Sequence, residues 1–177
     1  MTRYVALLRA INVGGHVVKM DQLRKLFEPL PVSNVSTFIA SGNVLFDAST
    51  RSVAALERKI SKHLQQALGY EVGTYIRSAA EIAAVAAHVP FPRAELAAHP
   101  LYVAFHNAEP SAEAMERVSA LRTPDDEFDF LGRELYWLRR GNISDSKITG
   151  PMMVKALGLV GTMRNATTVR KLAELMK

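Results

Sequence analysis

The sequence predicts an α+β protein built from two similar halves that pack together, and three observations carry this prediction. Hydrophobic residues make up 49% of the 177 residues, which is enough for a real core. The order strand, helix, hairpin, helix occurs twice, although no residue-level repeat accompanies it. Prolines cluster at Pro90, Pro92 and Pro100. We therefore expect a first half over 1–88, a joint over 88–100 and a second half over 100–177 with a C-terminal helix.

In the first half, alternation and helical spacing define each element in turn. The strand that begins at Tyr4 stops at a breaker cluster ending in Gly14 and Gly15, and Gly69 is well placed to cap the second helix. The turn composition Ser41-Gly42-Asn43 indicates a hairpin. The predicted elements are strand 4–10, helix 20–30, strands 35–40 and 44–48, helix 53–68, strand 71–77 and helix 79–90.

The second half repeats this order. Gly132-Arg133 marks a second hairpin turn, and Gly158 or Gly161 ends the helix after it. The predicted elements are strand 101–106, helix 112–121, strands 128–131 and 135–138, helix 152–159 and helix 166–176. This order, present twice, is typical of two ferredoxin-like halves, or α-β plaits, in tandem.

The first strand carries apolar residues on both faces, with Val5 and Leu7 on the side opposite Tyr4 and Ala6. A sheet with one solvent-exposed face would place polar residues at every second position of the strand. We therefore expect the second face to be buried, either against the other half or against a partner.

Composition excludes several classes of protein. The absence of cysteine rules out disulfides, thiolate zinc sites and cysteine nucleophiles. No apolar run approaches the roughly 20 residues that span a bilayer, and no signal-peptide cleavage pattern follows the first strand, so we expect a cytoplasmic protein with no membrane partner. The sequence predicts neither a metal nor a cofactor, and it does not distinguish a monomer from a homodimer.

Charge is unevenly distributed in this basic chain, whose net charge is +5 and whose pI is about 9.6. Acidic residues are concentrated over 108–134 and basic residues over 139–177. This asymmetry indicates either a face that binds polyanions or two solvated surfaces that partly neutralise each other.

Three segments, YVALLRAINVGG (4–15), SGNVLF (41–46) and GTMRNATTVRKLAEL (161–175), resemble a bacterial family of uncharacterised proteins catalogued as domain of unknown function 1697. The resemblance covers nearly the whole chain and implies two ferredoxin-like α-β plaits, but no activity. The chain departs from the family at Met163 and Ala166, where a threonine and a tryptophan are usual. The family's recurrent polar positions fall on Arg9, Asn12, Gly14, Gly15, Ser41, Gly42, Asn43, Ser146, Lys147, Thr162, Arg164, Asn165 and Thr167.

The strongest candidate for chemistry is the segment that follows the first strand. Consecutive glycines at Gly14 and Gly15 let backbone amides converge on an anion, and a helix begins just beyond Lys19. Arg9, Asn12 and Lys19 would add polar and charged donors. The competing interpretation is that the glycines only supply the positive φ of a turn.

Two further pairs complete the candidate anion site. Ser41 and Asn43 flank a glycine, although a hairpin turn favours such residues for torsional reasons alone. Arg164 and Asn165 precede the last helix, where Asn165 or Thr167 could cap the helix. Because a cation there opposes the helix dipole, Arg164 would fit either a bound anion or a salt bridge to the acidic segment.

No motif nominates a catalytic group. The five histidines lack metal-ligand spacing, and the acidic run at 125–129 lacks the calcium-loop pattern and is expected to be a solvated strand entrance. The leading hypothesis is therefore a non-enzymatic binding protein for a phosphate-bearing ligand, either a nucleotide or RNA. The alternatives are an enzyme that acts on a small anionic metabolite and a structural or oligomerising module.

Overall fold

The computed structural model describes residues 1–177, which divide into two compact units. The first unit contains 1–83 together with 172–177, and the second contains 84–171. This division falls a few residues before the predicted joint at 88–100, a stretch that itself holds a short helix. The first-unit elements are β1 (Thr2–Leu8), α1 (Met20–Phe27), β2 (Ser33–Phe38), β3 (Asn43–Ala48), α2 (Val53–Leu68) and β4 (Thr74–Ser78), and α3 (Ala79–Ala87) crosses the division.

The second unit repeats the pattern. It contains α4 (Arg93–Ala98), β5 (Leu101–Phe105), α5 (Ala112–Ser119), β6 (Asp126–Leu131), β7 (Glu134–Arg139), a 3₁₀ turn (Ile143–Asp145), α6 (Gly150–Leu157), β8 (Thr162–Asn165) and α7 (Ala166–Leu175), whose last turn belongs to the first unit. The two antiparallel sheets have the orders β2-β3-β1-β4 and β6-β7-β5-β8. Each is the four-stranded sheet of a ferredoxin-like fold, so the predicted fold class is confirmed.

Local capping explains where the helices begin and end. The Ser52 hydroxyl accepts a hydrogen bond from Ala55 N at the start of α2, and Gly69 ends that helix with a φ of 82°. Ser78 and Glu81 form a reciprocal capping box at the start of α3. Gly158, with a φ of 69°, ends α6, which decides between the two glycines, Gly158 and Gly161, that the sequence offered for this cap.

The first sheet buries both of its faces at β1. On one face, Tyr4, Ala6 and Leu8 pack in a core with residues of α1 and α2 such as Phe27 and Ile60. On the other face, Val5 and Leu7 are fully buried in the single chain. The apolar pattern of β1 therefore predicted the burial of its second face correctly.

One strand was missing from the sequence prediction. Residues 162–165 form β8, which pairs with β5, whereas the sequence analysis treated Arg164 and Asn165 only as the approach to the last helix. A four-residue edge strand is too short to show a period of two. Its place in the sheet is set by partners about sixty residues earlier in the chain.

The two sheets also share a repeat of residues, contrary to the sequence analysis. Tyr-Val-Ala occurs at 4–6 in β1 and at 102–104 in β5. In both sheets the valine lies opposite a buried arginine of the edge strand, Arg77 in β4 and Arg164 in β8. A three-residue match is too short to detect without the strand register, which shows that the positions are equivalent.

Candidate anion-binding site

The segment between β1 and α1, residues 9–19, is called here the glycine loop. It leaves the sheet where Arg9 N donates to Gly73 O at 2.8 Å. Asn12 then fastens the loop in two directions, because its Nδ2 donates to Ala40 O at 2.8 Å and its Oδ1 accepts from Val18 N at 2.7 Å. Asn12 therefore shapes the loop and ties it to the β2–β3 turn.

The backbone of this region is strained. Ala10 has a φ of 69° and Asn12 a φ of 54°, and Ile39 in the adjoining turn has a φ of 52°. A non-glycine residue held there costs about 1–3 kcal/mol, and β-branched residues tolerate it least. Three of the chain's four non-glycine residues with positive φ thus lie in the glycine loop and the turn to which Asn12 ties it.

Gly14 and Gly15 expose unused amides. Both residues are solvent-exposed with positive φ, and a Cβ at either position would meet nothing within 4 Å. Their N–H groups donate to no group of the chain, whereas the next amide, His16 N, donates to Val13 O at 3.1 Å. The sign of φ alternates over 12–14, since it is positive at Asn12 and Gly14 but not at Val13, and such an alternation lets successive amides converge on an anion.

Two cations flank these amides in sequence. Arg9 and Lys19 are both exposed, and neither side chain makes a hydrogen bond or an ion pair within the chain. Lys19 occupies the N-cap position of α1 without a side-chain capping bond, so the first-turn amides of that helix have no side-chain acceptor. Asp21 supplies the acidic residue of that first turn.

Ser41 and Asn43 are engaged within their own turn. Asn43 is fully buried, and its Nδ2 donates to Phe38 O at 2.9 Å and to Ser41 Oγ at 3.0 Å. Gly42 has a φ of 84°, and a Cβ there would lie 3.0 Å from that of Ile11. These contacts match the interpretation of the segment as a plain turn.

The last two predicted residues belong to the second unit. Arg164 is buried, with Nη1 donating to Thr162 Oγ1 at 2.9 Å and to Met163 O at 3.0 Å, and burial lowers its pKa to about 10. Asn165 Oδ1 accepts from Thr167 N at 2.8 Å, which is the capping role expected of it. The site proposed below therefore uses residues of the first unit alone.

Part of the basic C-terminal segment is neutralised by acids. Arg140 pairs with Glu95 at 2.7 Å and with Glu127 at 3.3 Å, and Arg139 pairs with Asp126 at 3.2 Å. For these two arginines the structure favours mutual neutralisation over a free polyanion-binding face.

Asp126 corrects the prediction of a solvated strand entrance. It is 1% exposed, and it accepts hydrogen bonds from Thr123 Oγ1, Trp137 Nε1 and Ser146 Oγ as well as from Arg139. Burial raises its pKa, but the three hydrogen bonds and the arginine charge together hold that pKa below its usual value. The sequence did not predict the burial of Asp126, because its neighbours Asp125 and Glu127 are also acidic and indicate an exposed segment.

Sequence reasoning also missed an aromatic pair beside the glycine loop. The rings of His16 and Tyr70 stack with centroids 3.7 Å apart and planes inclined by 20°. The partners lie far apart in the sequence, so no local signal could have joined them.

The structure also bears on metal sites, membrane-spanning helices and surface depressions. No group of three His, Asp or Glu side chains is placed to hold a metal ion. None of the helices is both long enough and apolar enough to cross a bilayer. Two surface depressions of about 370 and 170 Å³ lie around 48–51, and neither contains a predicted site residue.

Comparison with known proteins gives a match to one family and matches among solved structures. The sequence profile of a family described as a protein of unknown function (DUF1697) matches residues 1–136. Among solved structures, the conserved bacterial protein SP0830 from Streptococcus pneumoniae aligns with a TM-score of 0.78 and 25% identity, covering 99% of this chain and 98% of that chain. No functionally curated protein matches the sequence.

Proposed function

We propose that this chain, which belongs to the DUF1697 family of proteins of unknown function, is a non-enzymatic binding protein for a phosphate-bearing ligand held at the glycine loop. One observation carries the proposal. The exposed amides of Gly14 and Gly15 have no acceptor in the chain, and the unpaired cations Arg9 and Lys19 flank them in sequence.

The chemistry of this arrangement suits a phosphate better than a neutral ligand. The free amides of Gly14 and Gly15 provide two adjacent donors for the oxygens of one phosphate group. The guanidinium of Arg9 can donate two parallel hydrogen bonds to a phosphate, and a charge-assisted bond is about twice as strong as a neutral one. The uncapped N-terminus of α1 adds partial positive charge.

Backbone strain supports a functional role for this loop. Ala10, Asn12 and Ile39 hold unfavourable φ values, and such residues cluster at ligand-binding sites because the surrounding structure must enforce them.

The direct test is a titration at low salt with inorganic phosphate and with ribose 5-phosphate, followed by the backbone amide resonances of the intact chain. We expect the Gly14 and Gly15 resonances to shift in a saturable manner. Arg9→Ala should weaken binding about 10- to 100-fold, the effect of losing one charged hydrogen bond.

Arg58→Ala is the matched control, because Arg58 is also exposed and the substitution removes the same charge elsewhere in the first unit. An unchanged affinity in Arg9→Ala, or equal losses in the two variants, would contradict the proposal. Turnover of a phosphate ester in the same samples would instead support the enzymatic alternative.

A further inference from the structure

The ring of His16 is held beside the unused amides of the glycine loop. Tyr70 covers one ring face at a centroid separation of 3.7 Å. His16 as a whole is exposed, whereas Tyr70 is half-buried and packs against the core of the first unit. Tyr70 therefore supports one face of the His16 ring, and His16 as a residue remains exposed to solvent.

Exposed apolar side chains lie on either side of His16 in the sequence. Val13 is 57% exposed and Val17 is 81% exposed, and both belong to the glycine loop. A bare inorganic anion would gain nothing from these side chains. A ligand with an apolar or aromatic part could cover them, and the burial of apolar surface stabilises a complex.

The stack also carries a cost for the unliganded protein. The Tyr70 hydroxyl is buried and has no hydrogen-bond partner. Leaving such a group unsatisfied is unfavourable, so the hydroxyl does not stabilise the arrangement. What this arrangement supplies is a supported aromatic ring one residue away from the Gly15 amide.

We propose that the ligand of the glycine loop is a nucleoside phosphate whose phosphate binds the amides of Gly14 and Gly15 and whose base stacks on the face of the His16 ring opposite Tyr70. This inference rests on the proposed function and names its ligand class. Stacking on an aromatic side chain tolerates any base, because every base presents a π-face. A free nucleotide and the 5′-phosphorylated end of an RNA strand share this chemistry.

The experiment compares adenosine 5′-monophosphate, ribose 5-phosphate and adenosine as probes of the intact chain. We expect the nucleotide to bind about 5- to 100-fold more tightly than ribose 5-phosphate, the range that one base–aromatic stack supplies. His16→Ala should lower the affinity for the nucleotide to that for ribose 5-phosphate, and it should leave the sugar phosphate's affinity unchanged.

Tyr70 provides a matched pair of variants. Tyr70→Phe retains the supporting ring and removes the unpartnered hydroxyl, so it should bind the nucleotide as the wild type does. Tyr70→Leu removes the ring and should weaken nucleotide binding selectively. A loss of affinity in both variants would show that the hydroxyl, not the ring, matters and would overturn the stacking proposal.

The outcomes separate this inference from the proposed function. Equal affinities for the nucleotide and ribose 5-phosphate, with shifts at Gly14 and Gly15, would overturn the base stack and leave phosphate binding in place. No shift at these glycines with any probe would overturn both. A 5′-phosphorylated trinucleotide RNA that binds more tightly than the free nucleotide would support the proposal with RNA as the source of the ligand.

Discussion

The two sheets share one topology, but the segments that follow their first strands differ. After β1, the glycine loop has four residues with positive φ and reaches α1 without a side-chain cap. After β5, residues 106–111 have none, and Ser111 Oγ caps α5 by accepting from Ala114 N at 3.1 Å. Because the same fold is completed both ways, the fold itself does not require the glycine loop.

The hairpins of the two units differ in a similar manner. In the first unit, Arg3 and Asp47 form a partly exposed ion pair at 3.3 Å, and Asn34 donates to the same carboxylate. In the second unit, Asp126 and Arg139 form a buried pair within a wider hydrogen-bond network. The two sheets therefore have the same topology, but one carries a partly exposed ion pair and the other a buried one.

The largest expected effect tests this difference between hairpins. Asp126→Ala should destabilise the protein by about 3–5 kcal/mol, because it removes the buried carboxylate that lies 3.2 Å from Arg139 and leaves only Asp125, at 3.8 Å, to pair with that buried charge. Asp47→Ala should shift the urea midpoint only slightly, since its pair is solvated. Urea unfolding followed by circular dichroism measures both variants. Similar losses of stability would remove the distinction between the two hairpins.

The next effect concerns the glycine that precedes each fourth strand. A Cβ on Gly161 would lie 2.6 Å from the His106 ring and 2.7 Å from the backbone oxygen of Phe105, whereas a Cβ on Gly73 would meet side-chain atoms at 3.2 Å. Overpacking costs about 1–3 kcal/mol, so Gly161→Ala should fall at the upper end of this range and Gly73→Ala at the lower end. Thermal unfolding of the two variants makes the comparison. The reverse order would contradict the steric argument.

A smaller effect tests the two helix starts. Ser111→Ala should cost about 1 kcal/mol because it removes the hydrogen bond that caps α5. Lys19→Ala should change stability little, since Lys19 makes no capping bond with its side chain. Urea midpoints of the two variants give the comparison. A substantial loss in Lys19→Ala would show that α1 depends on that residue for stability, which would weaken its assignment to a ligand site.

The smallest expected effect is a dependence of the folding stability on pH in the acidic range. The folded-state pKa of Asp126 lies below the value of about 3.9 expected in the unfolded chain, so the unfolded state binds more protons in this range. The stabilisation is complete above the unfolded pKa and is lost as the pH falls through the folded one. Urea midpoints measured from about pH 5 downward should fall less steeply in Asp126→Asn than in the wild type. Parallel curves would contradict the prediction.

Much of the fold followed from local sequence, but the candidate site followed only in part. Exposure of Gly14, Gly15, Arg9 and Lys19 agrees with their polar, breaker-rich setting. The tie from Asn12 to Ala40 O and the stack of His16 on Tyr70 join residues far apart in the chain, which no local pattern encodes.

Burial of polar residues was the least predictable feature. Asn43, Asp126 and Arg164 are all buried, although their types favour the surface. Each is accommodated because hydrogen-bond partners lie within reach. The sheet register places Phe38 opposite Asn43 and Arg139 opposite Asp126, whereas Arg164 donates to its neighbours Thr162 and Met163. The strand β8 was not predicted either, because its pairing with β5, and not its composition, makes it a strand.

The sequence by itself determined the repeated strand-helix-hairpin-helix order, the glycine cap at Gly69 and the apolar character of both faces of β1. These properties depend on backbone preferences and on periodicity within a few residues, so they can be read along the chain. Tertiary structure alone decided the strand register and the support of His16 by Tyr70. It also placed Arg77 and Arg164 at equivalent positions of the two sheets. Those features arise from contacts between distant residues, whose partners exist only once the sheets have formed.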